Sequence, residues 1–172
     1  MKKPMELMVA LDFSSVKTAE EWMEKFGDLP VIYKVGYQLF LTAGPDWVAR
    51  QTARGKRIFL DLKLYDIPNT VERGVERACD LGVEYLTLHL SSGSDALEKS
   101  QKHVQKVNSP LCLLGVTVLT SFSEDKWQEL GRAWGSDLIS IQSSIKGLLN
   151  LARESGIPGI VCSGWDLRDA RK

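Results

Sequence analysis

Six short β-rich runs, at 7–11, 31–35, 58–62, 85–90, 113–119 and 157–162, constrain this chain more than anything else in it. Most are separated by one helix's worth of sequence, and the early ones return at about 25 residues, the size of a βα unit. They are nearly continuous apolar stretches, as strands buried on both faces of a parallel sheet read. The intervening sequence carries helix signals. Gly44-Pro45-Asp46 opens one helix, with proline near its first position, and Gly55 closes it. Val71, Val75, Ala78 and Cys79 form an apolar stripe ending near Gly82. Leu138, Ile141, Ile145, Leu148, Leu149 and Ala152 form another, ending at Gly156.

Alternating βα units leave two architectures, the open doubly wound sheet and the closed barrel. No G-x-G-x-x-G follows the first run, which weakens the dinucleotide-binding version. Polar residues instead recur at the C-terminal ends of successive runs: Asp12, Lys34, Asp61 and Lys63, His89, then Thr120 and Ser121. In a barrel those ends converge on one mouth, whereas in an open sheet they would be strung along a line. The expectation is an α/β fold, a TIM-type (β/α)8 barrel with about six βα units present, as a single domain over residues 1–172. Such a barrel takes about 250 residues. The chain is therefore expected to be C-terminally incomplete, as part of a longer chain or completed in some other way.

Composition narrows the function classes. Twenty-two basic residues balance 22 acidic ones, so no net charge favours nucleic acid or an anionic membrane. No apolar run approaches the roughly 20 residues of a membrane helix, and Glu6 and Asp12 interrupt any signal-like N-terminal stretch. Cys79, Cys112 and Cys162 have neither a zinc spacing nor a disulfide pattern, and read as buried thiols in a reducing cytoplasm. The five tryptophans mostly fall in predicted helices and read as packing.

The densest chemistry lies in Asp61-Leu-Lys63-Leu-Tyr-Asp66-Ile67-Pro68-Asn-Thr70, where a strand should end and a helix begin. Residues two apart on a strand share a face, which sets Asp61 beside Lys63. Asp66 and Pro68 suit a helix cap and first turn, but a cap needs neither Lys63 nor a second acid. Two carboxylates near one ammonium keep it charged, and a charged lysine in a dry pocket can deliver a proton. Lys34 ends an apolar run, either snorkelling to solvent or pairing with Asp61 on the next strand. Asp12 reads equally as a turn aspartate or as an acceptor for a substrate hydroxyl. His89 reads as a structural hydrogen-bonder behind the site. Ser121-x-x-Glu124 matches a capping box, so one of Thr120 and Ser121 caps a helix while the other serves a ligand.

These residues resemble the signature of orotidine 5′-phosphate decarboxylase, the last enzyme of UMP synthesis. Ala10-Leu-Asp12-Phe, Lys34-Val-Gly36, His89-Leu-Ser-Ser-Gly93, Thr117-Val-Leu-Thr120-Ser and Gly159-Ile-Val-Cys-Ser163 carry the resemblance from the first run to the sixth. It implies a cytoplasmic homodimer with shared active sites, acting on orotidine 5′-monophosphate without cofactor or metal. Lys34, Asp61, Lys63 and the partner's Asp66 would form an alternating charge network. Asp61 would face the substrate carboxylate, and Lys63 would protonate C6 as carbon dioxide departs. Asp12 and the partner's Thr70 would hold the ribose, Thr120 or Ser121 the pyrimidine edge, with Lys34 and Ile67 among the substrate-binding residues. The phosphate in that family is held by backbone amides and an arginine near the seventh and eighth strands. That region is not in this sequence, and Arg168 and Arg171 match no phosphate motif of the family. Two alternatives remain. One is a magnesium-dependent sugar-phosphate enzyme of the same superfamily, such as 3-keto-gulonate 6-phosphate decarboxylase or hexulose-phosphate synthase. Those relatives usually carry an acid on the second strand, where this chain has Lys34. The other alternative is a non-catalytic fragment of the decarboxylase.

Overall fold

The structure, a computed structural model, describes residues 5–136 and 139–171. Its elements run β1 (Leu7–Ala10), α1 (Val16–Phe26), β2 (Val31–Gly36), α2 (Tyr37–Ala53), β3 (Arg57–Leu64), α3 (Pro68–Asp80) and β4 (Tyr85–His89). After a 3₁₀ turn at Leu90–Ser92 come α4 (Ser94–Lys106), β5 (Cys112–Val116), α5 (Glu124–Ala133), α6 (Ile141–Glu154), β6 (Gly159–Val161) and α7 (Leu167–Ala170). The six strands form one sheet in the order β1-β2-β3-β4-β5-β6, every neighbouring pair parallel. A doubly wound sheet reverses its strand order at a switch point. This one never reverses, so it is singly wound, as a barrel wall is.

The sheet also curls. β1 and β4 would stand three strand spacings apart on a flat sheet, about 14 Å. Yet the Tyr85 hydroxyl on β4 donates to Glu6, just before β1, at 3.2 Å. Arg57 at the start of β3 joins the same group, bonding Glu6 at 2.6 Å and Glu84 at 2.6 and 2.7 Å. These side chains tie the N-terminal ends of three strands together across the concave side. The C-terminal ends carry the charged residues.

Helix boundaries follow local chemistry. Ser15 caps α1 by accepting from the Thr18 amide, and Gly27 ends it at φ 54°. Pro68 stands in the first turn of α3, which buries Val71, Val75 and Ala78. Ser140 and Ser143 form a reciprocal capping box at the start of α6. The main core lies between sheet and helices and includes Val35, Leu39, Val48, Ile58, Leu60, Val75, Leu86, Leu88, Leu97 and Leu113. A second cluster, Val118, Trp127, Ile145 and Leu149, sits beneath α5 and α6.

Several expectations need correction. The helix predicted to open at Gly44-Pro45 begins earlier, at Tyr37. Gly44, at φ 75° and ψ 169°, is a kink within it, and Pro45 starts the second segment. The fifth strand ends at Val116, because Val118 turns into the second core cluster instead of continuing the ladder. The cap of α5 is Ser123, which accepts from the Lys126 amide, so Ser121 and Glu124 do not form the predicted box. The Glu124 carboxylate instead accepts from the Ile141 amide at the start of α6. Asp66 stands one residue before the cap of α3, which is Ile67. The cysteines form no disulfide and are partly exposed. Trp165 lies on a loop and is exposed. Leu138, predicted to start the stripe of α6, lies outside the described residues.

Candidate active site

Adjacent strand ends assemble the charged cluster. Ala10 and Phe59 are in register with Lys34, and Gly36 with Asp61, so Asp12 and Asp61 stand level with Gly36 and the long side chain of Lys34 reaches up to them from two residues below. The Lys34 ammonium lies 3.3 Å from Asp12 Oδ1 and 3.6 Å from Asp61 Oδ2. The other oxygen of Asp61 accepts from Lys63 Nζ at 2.8 Å and from Thr87 Oγ1 at 2.9 Å. The order in space is Asp12, Lys34, Asp61, Lys63, with signs alternating.

Lys63 reaches Asp61, but not on the regular strand that the spacing suggests. Between the pairs Leu60–Leu86 and Leu64–Leu88 the register shifts. Asp61, Leu62 and Lys63 therefore stand opposite Thr87 alone. A bulge of this kind bends its strand and re-aims a side chain. Lys63 takes up the distortion at φ 44°, left-handed backbone that a lysine adopts at a cost. Its amide donates to Thr87 Oγ1 at 2.8 Å.

The electrostatics follow from burial and partners. Burial pushes the Asp61 carboxyl upward, but hydrogen bonds from Lys63 and Thr87 and the charges of Lys63 and Lys34 outweigh it, so it lies below its ordinary value. Asp61 is thus an anion at neutral pH. Burial, then the Lys63 charge, lowers the His89 imidazole, so it is neutral beside the ammonium. Tyr37 donates to the Leu62 carbonyl within the bulge, and its phenol is pushed up by burial and by Asp61.

The remaining expected residues surround this cluster at greater exposure. Asp66 and Ile67 are exposed on the β3–α3 loop, where Asp66 Oδ1 accepts the Ile67 amide at 2.7 Å. Thr70 is exposed on the first turn of α3. Tyr65, on the same loop, packs its ring 5.5 Å from that of His89. Thr120 and Ser121 lie beyond the end of β5 on an exposed turn. Thr120 lines a cavity of about 450 Å³ with Val118, Ile141, Ser163 and Trp165. Arg168 and Arg171 are exposed at α7. Among the described residues no group of three or more His, Cys, Asp or Glu could hold a metal ion. Thr87 and Tyr37 were not foreseen. The sequence pattern singles out neither Thr87, an ordinary strand former, nor Tyr37.

A curled, singly wound parallel sheet with alternating charges at its C-terminal strand ends defines the class: a barrel enzyme whose mouth is equipped for proton transfer to or from a charged substrate. Residues 5–171 match the orotidine 5'-phosphate decarboxylase / HUMPS family, and the chain belongs to it. It is 40% identical to the orotidine 5'-phosphate decarboxylase of Dictyoglomus turgidum over 173 residues, 97% of this chain and 69% of that protein. With the enzyme of that name from Idiomarina loihiensis it shares 34% identity, over 95% of this chain and 68% of the relative. The crystal structure of orotidine 5'-phosphate decarboxylase from Lactobacillus acidophilus superposes with a TM-score of 0.86 at 32% identity, covering 96% of this chain and 75% of that one. An uncharacterized conserved protein from Geobacillus kaustophilus superposes with a TM-score of 0.85 at 30% identity, covering 96% and 77%.

Proposed function

We propose that this chain carries the decarboxylating site of an orotidine 5′-monophosphate decarboxylase, with Lys63 as proton donor to C6. The observation that carries the reading is the alternating Lys34–Asp61–Lys63 array. Loss of carbon dioxide leaves a carbanion. A fixed ammonium stabilises that charge and then supplies the proton. Asp61 would hold the Lys63 ammonium in place at 2.8 Å and present an anion to the substrate carboxylate. Asp12 would bind ribose hydroxyls, and Thr120 or Ser121 the pyrimidine edge. The exposed Tyr65, Asp66, Ile67 and Thr70 support a homodimer in which this loop reaches the neighbouring site, as the family resemblance implies. A nucleotide substrate and cysteines outside any disulfide favour the cytoplasm. No helix among the described residues is long and apolar enough to cross a membrane.

The test is conversion of orotidine 5′-monophosphate to UMP, followed by absorbance, with and without EDTA. Turnover indifferent to EDTA and lost by at least about a thousandfold in Lys63→Ala supports the reading. Loss to EDTA restored by magnesium overturns it in favour of the sugar-phosphate relatives. The chain covers 68 to 70% of several curated relatives, which favours one second reading, a fragment that folds without turning over. Absence of UMP with the fold intact supports that one. Sedimentation at micromolar concentration checks the homodimer, and a monomer refutes the shared site.

A further inference from the structure

We propose that Thr87 is the positioning residue of this site: its hydroxyl fixes the bulged backbone at Lys63 and the Asp61 carboxylate to one another, and so sets where the Lys63 ammonium stands. The register leaves Thr87 as the single β4 residue opposite Asp61, Leu62 and Lys63. A regular ladder satisfies its amides from neighbouring backbone carbonyls. Here the amide goes to a side chain, at 2.8 Å. The same oxygen donates to Asp61 Oδ1 at 2.9 Å.

The polarity of these bonds is forced. A backbone amide only donates and an ionised carboxylate only accepts, so the hydroxyl must accept from Lys63 and donate to Asp61. Thr87 is fully buried, so no water replaces either bond. Lys63 and Asn108 are the described non-glycine residues with positive φ. Asn108 follows a helix end, where asparagine tolerates that conformation. Lys63 has no such intrinsic tolerance, and the bond from its amide holds it there. One hydroxyl therefore fixes both ends of the Lys63–Asp61 pair: the carboxylate directly, and the lysine through its own backbone. Thr87 touches neither a reacting atom nor the ammonium and acts through the two residues that do.

The inference rests on the reading of Lys63 as proton donor, and its test has an arm that needs no substrate. Thr87→Val keeps the shape and loses the hydroxyl, while Thr87→Ser keeps the hydroxyl. Carboxyl-carbon NMR follows the titration of Asp61, and amide spectra follow Lys63, in the full chain. In Thr87→Val the Asp61 midpoint moves to higher pH and the Lys63 amide resonance shifts. Thr87→Ser returns both to the wild-type positions. Thr117→Val, which removes another buried hydroxyl, bonded to the Val161 carbonyl, leaves both unchanged. If Thr87→Val does not fold, Thr87→Cys, with a weak donor, carries the same comparison. Where the wild type turns over, Thr87→Val loses about a hundredfold in kcat with KM little changed. An Asp61 midpoint and Lys63 amide indifferent to loss of the hydroxyl overturn the proposal, as does failure of serine to restore them. A wild type without turnover refutes the functional reading alone, because the NMR arm still decides on Thr87.

Discussion

Replacing Lys34 by methionine removes one of the two cations facing Asp61 while keeping a stem of similar length. The Lys34 ammonium has two partners, and they lose unequally. Asp12 is 64% exposed at the side chain, so hydration replaces most of what it loses, about 0–1 kcal/mol. Asp61 is 16% exposed and 3.6 Å away. Two unit charges at that distance attract by about 1 kcal/mol in water and about 5 kcal/mol at an effective dielectric of 20. Methionine also removes the desolvation penalty of a half-buried ammonium, which offsets part of this. The net expectation is a loss of about 1–3 kcal/mol at pH 7. The pH dependence gives the sharper check. Asp61 lies below its ordinary value, so its stabilisation is present above the unfolded value of about 3.9 and is lost as pH falls through the lower folded value. The gap between wild type and Lys34→Met should therefore be full at pH 7 and close below about pH 4. Urea denaturation at a series of pH values, with the m-value unchanged, measures it. Equal stability at pH 7, or a gap independent of pH, would refute the coupling of Lys34 to Asp61.

Two further substitutions probe the scaffold. A Cβ on Gly115 of β5 would lie 2.5 Å from Leu90 Cδ2 and 2.9 Å from its Cγ, with Leu90 fully buried. Gly115→Ala should destabilise by about 1–3 kcal/mol, read as a fall of about 2–4 °C in Tm per kcal/mol; an unchanged Tm would show that Leu90 repacks freely. Arg57→Lys keeps the charge but loses the fork that bonds Glu6 and Glu84. At this one-third exposed site the loss should be about 0.5–1.5 kcal/mol and should shrink in 1 M salt. A salt-independent loss would mean that packing of the arginine stem, not its charge, is what matters.

Charge was easier to read in this sequence than aim. Lys34, Asp61 and Lys63 stood out because ionised groups inside apolar runs are rare without partners, and the runs themselves gave the parallel strands. The bulge left no such mark. Nothing in Asp61-Leu-Lys63 announces a register shift, because the extra residues are defined only against β4. Thr87 was passed over for the same reason, since a threonine in a strand reads as an ordinary β-former. Punctuation misled as well. Gly36 and Gly44 bracket the first segment of α2, Tyr37–Ala43 in effect, and made it look like loop. Ser121 and Ser123 both suit a cap, and only the fold decides between them.

The cluster's balance of charge separates the two chemistries of its family on physical grounds. Asp12 and Asp61 are matched by Lys34 and Lys63, each ammonium within 3.6 Å of a carboxylate. A divalent cation binds where oxygen ligands leave an excess of negative charge. Here an ammonium already stands against each oxygen of Asp61, so a dication would have to displace a lysine and meet its repulsion. A substrate carboxylate entering beside Asp61 meets a different field. On the proposed reading it would be repelled by one fixed anion and attracted by two cations, and losing carbon dioxide would relieve the repulsion while leaving the carbanion beside Lys63. The second-strand lysine would therefore do two things at once: it would oppose a metal, and its charge would add to the bonds from Lys63 and Thr87 that hold Asp61 below its ordinary value against burial. That coupling is why the EDTA arm of the turnover assay and the pH arm of the Lys34→Met experiment bear on one residue, and why the two results must agree.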